Sequence, residues 1–403
     1  MLQANGLESR KGTARTLGVE RAYDASPRSR NGVGTMLTKQ QPTVSVIIKA
    51  LNEERRIAAT IESALAALAG IGGEVILADG GSTDRTVEIA RRYPIVIVRL
   101  NRIEDRCCGS GAQLGFQYSR GRFLMLMDGD QELHPAFLPA ALAALRQNPR
   151  LAGVGGAIIE CNVDNEEYEQ RSRRRDPDSR TGPVTRLNGS GLYRRSAVES
   201  VGYLTDRNLH GGEEFDLGAR LHAAGWTLAK IDGPIVDHYP HTGNVYRLLL
   251  RRILNKNAFG AGELFRAAIG QRHFWFAIGK DRTTLLCLAV TGWWIVLALA
   301  AFALTGWSAV LAAGAILLFP FAAMSLRWRS LRLGVYSVTS WNVFALCFWP
   351  GLFRQRIPPA NWIASTLVHA PADEPRATHE ARGAFADGSR ARARDIGNLT
   401  SLR

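Results

Sequence analysis

Acid is the scarce charge in this chain: 36 Asp and Glu against 50 Lys and Arg leave a formal charge of +14 over 403 residues. Such a deficit raises nucleic acid as a partner, so the placement of the cations decides its meaning. Between Gly243 and Arg282 eight Lys and Arg stand against only Glu263 and Asp281, immediately ahead of an apolar region. That placement suits anionic membrane lipids and argues against a nucleic-acid partner. Cysteine is sparse as well. The five, Cys107, Cys108, Cys161, Cys287 and Cys347, show no CxxC spacing, and the vicinal pair is poorly placed for an ordinary disulfide, which fits a reducing cytosol.

Charge is missing altogether from Thr283 to Leu326, a stretch broken only by Thr305-Gly306-Trp307-Ser308. Its halves, 285–304 and 309–326, each come close to the roughly 20 residues that a helix needs to cross a bilayer. A transmembrane hairpin is expected. Lys280 and Arg282 before it and Arg327, Arg329 and Arg332 after it put both flanks on the cytoplasmic side. The protein is therefore expected to be a multi-pass protein of the cytoplasmic (inner) membrane, with its N-terminal region in the cytoplasm. A third uncharged stretch, 333–353, carries Ser337, Thr339, Ser340, Asn342 and Pro350 and is basic at both ends, so a third span competes with a re-entrant or interfacial helix. Residues 1–42 lack an apolar signal segment and, like the polar tail 371–403, are expected to be disordered.

The region between is patterned differently. Val44-Ser45-Val46-Ile47-Ile48 is a β-branched run followed by Ile57, Ile61, Leu65 and Leu68 at helical spacing. The cycle repeats with Val75-Ile76-Leu77 before a helix at 86–92, then with Ile95-Val96-Ile97-Val98, then with a helix at 110–119 leading to Phe123-Leu124-Met125-Leu126-Met127. Alternating helices and continuous apolar strands imply a parallel, doubly wound α/β sheet with helices on both faces. Ligands bind such sheets beyond the carboxyl ends of the strands. There the sequence places Lys49, Asn52, Glu53 and Glu54 after the first strand, Asp79-Gly80-Gly81-Ser82-Thr83-Asp84 after the second, and Asp128-Gly129-Asp130 after the fourth. So many carboxylates on one edge call for bound cations or hydrogen-bond donors. By itself Asp128-Gly129-Asp130 reads either as a hard-oxygen site for a divalent cation and its diphosphate or as a solvated turn capping the next helix.

Taken in order, these motifs resemble the family 2 glycosyltransferases over residues 43–246: Val44 to Ile48 with Asn52-Glu53-Glu54, the Asp79 to Asp84 loop, Gly111-Ala112-Gln113-Leu114, Asp128-Gly129-Asp130, and Glu213-Glu214-Phe215-Asp216-Leu217 with Arg220-Leu221. The resemblance implies a GT-A, Rossmann-like, mostly parallel sheet that binds a nucleotide-diphosphate sugar, followed here by basic interface helices at 247–282 and a transmembrane region at 283–356. It implies that Asn52, Glu53, Asp79, Gly80, Gln113 and Asp128 contact the nucleotide sugar, with Asp79 accepting hydrogen bonds from the base. Asp130, with His238, would hold Mg2+ or Mn2+ against the diphosphate, where the ion stabilises the charge left by the departing sugar. His238 also reads as a structural histidine, and His241 is a weaker candidate. Glu214 would be the general base, with Glu213 as its alternate, taking the acceptor hydroxyl proton in a single inverting displacement. The same two acids would also complement a helix dipole. Asn188-Gly189-Ser190-Gly191 resembles the acceptor-side segment, and the basic run 171–175 reads as either a solvated loop or one that closes over diphosphate.

The Gln-x-x-Arg-Trp motif of processive synthases is missing after His238, which points to transfer of one sugar. The acceptor implied is lipid-linked or a membrane-proximal glycan in envelope or exopolysaccharide assembly. A polyprenyl-phosphate acceptor is the near rival, and a catalytically silent nucleotide-sugar-binding membrane scaffold is the reading from another class.

Overall fold

The apolar runs at the start of the chain form adjacent strands. In the computed structural model, which describes residues 41–162, 170, 180–240, 243–303 and 305–371, β1 (Val44–Ala50) pairs in parallel with β2 (Gly73–Asp79) and β4 (Phe123–Asp128), and β2 pairs with β3 (Val96–Leu100). Helices α1 (Ile57–Leu68), α2 (Thr86–Ala90) and α3 (Cys108–Tyr118) make the connections. Strand alternation divides the core between two faces. Val46, Ile48, Leu77 and Met125 pack with Ile57 and Ile61 of α1 and with Leu138 of α4 (Phe137–Gln147) on one face. Ile47, Ile76 and Leu124 pack with Leu114 of α3 on the other.

Beyond β4 the sheet becomes mixed. Among the described residues ten strands join one sheet, in the order β10-β3-β2-β1-β4-β8-β6-β9-β5, with β7 against β9. Here β5 is Gln131–Leu133, β6 Leu151–Glu160, β7 Gly182–Val184, β8 Gly191–Arg194, β9 Thr227–His238 and β10 Ser365–His369. Antiparallel β8 joins the parallel half to the β6–β9 pair, which is itself parallel. Parallel pairing is thus concentrated in β3-β2-β1-β4 and recurs in β6–β9. Between β8 and β9 run α5 (Arg195–Ser200) and α6 (Glu213–Ala223), and Leu217 and Leu221 of α6 join the α3 face of the core.

After β9 come α7 (Val245–Leu254), α8 (Gly260–Ala268), α9 (Phe274–Lys280), α10 (Arg282–Ala303), α11 (Gly306–Trp328) and α12 (Leu331–Phe353). Among the described residues two helices, α10 and α11, are long and apolar enough to cross a membrane. Their large apolar side chains face outward, with Phe302 94% and Phe319 72% exposed. The third stretch is one unbroken helix, α12. It buries Leu333, Tyr336, Val338 and Phe348 while packing on α8, α10 and α11. At its crossing with α8, a Cβ on Gly262 would collide with the Phe348 carbonyl, so glycine is what lets the two backbones approach. Helix α8 is almost wholly buried within the protein, whereas Trp275 of α9 is 82% exposed.

Past α12 the chain returns to the sheet and adds β10 antiparallel to the outer edge of β3. On the way it grips the loop ahead of α6. Arg356 pairs with the fully buried Asp206, Asn208 exchanges hydrogen bonds with Ile357, and Arg207 donates to the carbonyls of Asn361 and Trp362. His210 and Arg354 meet at Glu263 of α8, each within 2.9 Å. His241, the run 171–175 and most of the two terminal segments lie outside the described residues.

Candidate active site

A cavity of about 680 Å3 opens at the carboxyl ends of β1, β2 and β4, between the sheet and the α7 end of the helical region. Its sheet side is lined by Lys49, Glu53, Gly80, Asp128, Asp130 and His238. Its opposite side is formed by Leu248, Arg251, Arg252, Leu254 and Lys256, with Ile103 at the rim. One wall is therefore acidic and the other basic and apolar.

The strand ends explain the acidic wall. Asp128 closes β4, held by a bond from its own N–H to Gln131 Oε1 at 2.9 Å, and Ser190 donates to the same oxygen at 2.6 Å. The Asn188 to Gly191 segment thus lies beside Asp128. Asp130 follows a tight turn, and its Oδ2 lies 3.5 Å from His238 Nε2. The other ring nitrogen, Nδ1, bonds to Glu160 at 2.7 Å because β6 and β9 run in register with Glu160 opposite His238. Burial alone would lower the His238 pKa, but hydrogen bonds to Asp130 and Glu160 outweigh it and raise the ring to about 9.

That donor set fits a divalent cation. A carboxylate behind one nitrogen orients the imidazole so that its other nitrogen, together with Asp130, can ligate, and a cation there would displace the ring proton. Among the described residues no three His, Cys, Asp or Glu side chains converge as a metal-binding group. Among the described residues Asp130 and His238 are the pair that could hold such a cation.

Glu213 and Glu214 open α6 after Gly212, whose φ of +82° allows the chain to turn into the helix. They do not line the cavity directly. They reach it through Lys49, whose Nζ lies 3.0 Å from Asp128 Oδ1, 3.5 Å from Glu213 Oε1 and 3.8 Å from Glu214 Oε1. Burial, and next the Glu214 charge, push Glu213 up to about 8, so it is largely protonated at neutral pH. Burial would lower the Lys49 pKa, yet the charges of Asp128, Glu213 and Glu214 hold it well above the ordinary range.

Three of the nucleotide-site candidates face elsewhere. Asp79 is fully buried, its Oδ1 accepting from Ser82 N at 2.9 Å and its Oδ2 from Arg99 Nε at 2.6 Å. Asn52, at φ +60°, accepts from Thr83 N at 2.8 Å. Gln113 holds the N–H groups of Leu204 and Thr205. None of the three is among the residues that line the cavity; their amide and carboxylate oxygens accept hydrogen bonds that brace neighbouring loops. Glu53, Gly80 and Asp128 do line it. Lys49 carried a signal in sequence, a cation ending an apolar strand, whereas Glu160 carried none.

Residues 45–202 match the family model for Glycosyl transferase family 2. Over this segment, 158 of the 403 residues, the chain is similar to that family. It is 28% identical over 121 residues to a dolichol-phosphate mannosyltransferase of Pyrococcus furiosus, covering 29% of this chain and 34% of that protein. Identity is 31% over 122 residues to the dodecaprenyl-phosphate galacturonate synthase of Rhizobium johnstonii, covering 28% of this chain and 36% of the relative. A putative glycosyltransferase of Bacillus subtilis, EpsH, is 23% identical over 234 residues, 53% of this chain and 65% of its own length. The chain thus spans between 34 and 65% of these three relatives. Among solved structures, the mannosyltransferase PcManGT of Pyrobaculum calidifontis, in complex with GDP-Man and Mn2+, superposes with a TM-score of 0.52 at 17% identity, over 78% of this chain and 88% of that one. That likeness is one of fold: the chain has the GT-A fold.

Proposed function

We propose that this glycosyltransferase is anchored in the cytoplasmic membrane and moves one sugar, with inversion, from a nucleotide-diphosphate sugar to a lipid-linked or membrane-proximal acceptor in envelope or polysaccharide synthesis. The observation that carries the reading is the cavity itself: Asp128, Asp130 and His238 on the sheet wall face a cationic, apolar wall built by α7, directly ahead of two outward-facing apolar helices. A donor fits the first wall and a membrane-borne acceptor the second.

In this reading Asp130 and His238 hold Mg2+ or Mn2+, which supplies charge stabilisation at the diphosphate leaving group. Asp128 and Glu53 orient the nucleotide and ribose, and the backbone at Gly80 borders the base. Asp79 acts through Arg99 and Ser82, shaping that border. Glu214 removes the acceptor proton, while Glu213, protonated beside it, leaves the pair a single negative charge. Helix α7 and the turn at 255–257 form the wall of the cavity that faces the sheet.

A second reading, polyprenyl phosphate as the acceptor itself, is favoured by Arg251 and Lys256 on the apolar wall, which would bind a phosphate beneath an isoprenoid chain. Both readings are tested with purified full-length protein in detergent, Mn2+ and a panel of UDP- and GDP-sugars, with products followed by mass spectrometry of lipid extracts. Glu214→Gln is expected to lower kcat by about 10²–10⁴-fold for a sugar hydroxyl. Near-normal transfer by that variant argues instead for the phosphate acceptor, whose oxygen needs little base assistance. Absence of turnover with every donor would support the silent scaffold.

A further inference from the structure

Lys49 is a charged residue in the middle of a parallel sheet. Its backbone is register-paired with Ala78 on β2 and Asp128 on β4, and it shares with Ile47 the strand face covered by α3. The stem runs beside Gly111, where an added Cβ would lie 3.5 Å from Lys49 Cγ. Only the ammonium is free to choose partners, and all three carboxylates around it lie within 4.0 Å. An ammonium has three donors, enough to serve each of them. Without it, the charges of Asp128 and of the Glu213 and Glu214 pair would crowd one another, and the side chains would separate or take up a further proton.

We propose that Lys49 is a positioning residue of the transfer reaction: its ammonium ties Asp128, on the nucleotide side, to the pair Glu213 and Glu214, and so holds the base carboxylate in place across the anomeric position. This rests on the glycosyltransferase reading of the same site. Lys49 lines the cavity and the glutamates do not, so the lysine is the link through which a bound donor reaches the acid pair. A donor that draws Asp128 toward its ribose leaves more of the ammonium to Glu214, which couples donor binding to base placement through one side chain.

The test compares Lys49→Met and Lys49→Arg with the wild type as full-length protein, measuring transfer kinetics, melting temperature, and calorimetric binding of UDP or GDP with Mn2+. A misplaced base costs about 100-fold, so Lys49→Met is expected to lose that much in kcat while donor KM and nucleotide affinity stay within about threefold, and Lys49→Arg to recover at least about tenfold of the loss. Should Lys49→Met fail to fold, Lys49→Gln, which keeps a donor without the charge, carries the same comparison. A wild-type kcat in the uncharged variant overturns the proposal. So does an equal loss in the Met and Arg variants that tracks their melting temperatures, since that is the signature of a structural charge alone. Wild-type protein that neither binds nucleotide nor turns over a sugar donor overturns the glycosyltransferase reading itself, whatever the variants do.

Discussion

Each acid at the cavity has a different neighbour, and the neighbour sets its chemistry. Glu213 is buried beside Glu214 and pushed up to about 8 from an ordinary 4.5. A carboxyl whose folded value lies above its unfolded one stabilises the fold while protonated. That contribution is complete below about 4.5 and disappears as pH rises through about 8. The melting temperature of the protein in detergent should therefore fall across this window, and Glu213→Gln should flatten the slope; a variant that keeps the wild-type slope would refute the assignment. If Asp130 holds the cation as proposed, Asp130→Asn is expected to weaken Mn2+-dependent nucleotide binding by about 10–100-fold, read by calorimetry with and without EDTA. The Asp128 and Asp130 positions were legible because an apolar strand ends on them. Asp79, Asn52 and Gln113 were legible by position, but the hydrogen bonds their oxygens accept from Ser82, Thr83, Leu204 and Thr205 were not, because a side chain that binds a ligand and one that braces a turn have the same letter in a sequence.

At the scale of elements, the loop 206–210 precedes α6 and is held by the segment that follows α12. Asp206 is fully buried against Arg356, a residue that follows α12. Removing one partner of a buried pair leaves the other uncompensated, at a cost on the order of 3 kcal/mol. Arg356→Met should lower the melting temperature in detergent accordingly and reduce kcat through the displaced start of α6, and adding Asp206→Asn should restore part of the stability. A melting temperature unchanged in Arg356→Met would show that the clamp is solvated. Periodicity marked α10 and α11 within a few residues of their ends, since a run without charge declares itself. It left α12 open, because whether a helix with Ser, Thr and Asn along it meets lipid or protein depends on what packs there, and here α8 does.

On the scale of the whole molecule, the cavity lies between the mixed sheet and a helical region with an outward apolar surface. Membrane anchoring predicts that the protein remains in the pellet after carbonate extraction at alkaline pH. Leu317→Arg, in the middle of α11, should cost roughly 2.5–3.5 kcal/mol of insertion and shift protein to the soluble or degraded fraction. Retention of that variant at the wild-type level would argue that α11 packs on protein instead. The return of the chain to pair β10 with β3 means that sheet and helical region are joined at both ends of the apolar segment.

Order along the chain was determined by the sequence alone: strand, helix, strand, the acids at the strand ends, and the charge-free hairpin. These follow from side chains a few positions apart, where spacing of 2 or 3.6 residues selects the backbone. What only the tertiary structure decided is which groups meet. Glu160 reaches His238 across 78 positions because β6 and β9 pair in register, Arg356 reaches Asp206 across 150, and Lys49 gathers carboxylates from β4 and α6. No local pattern encodes such contacts, since the free energy that selects them comes from closing the sheet and burying its two faces as a whole.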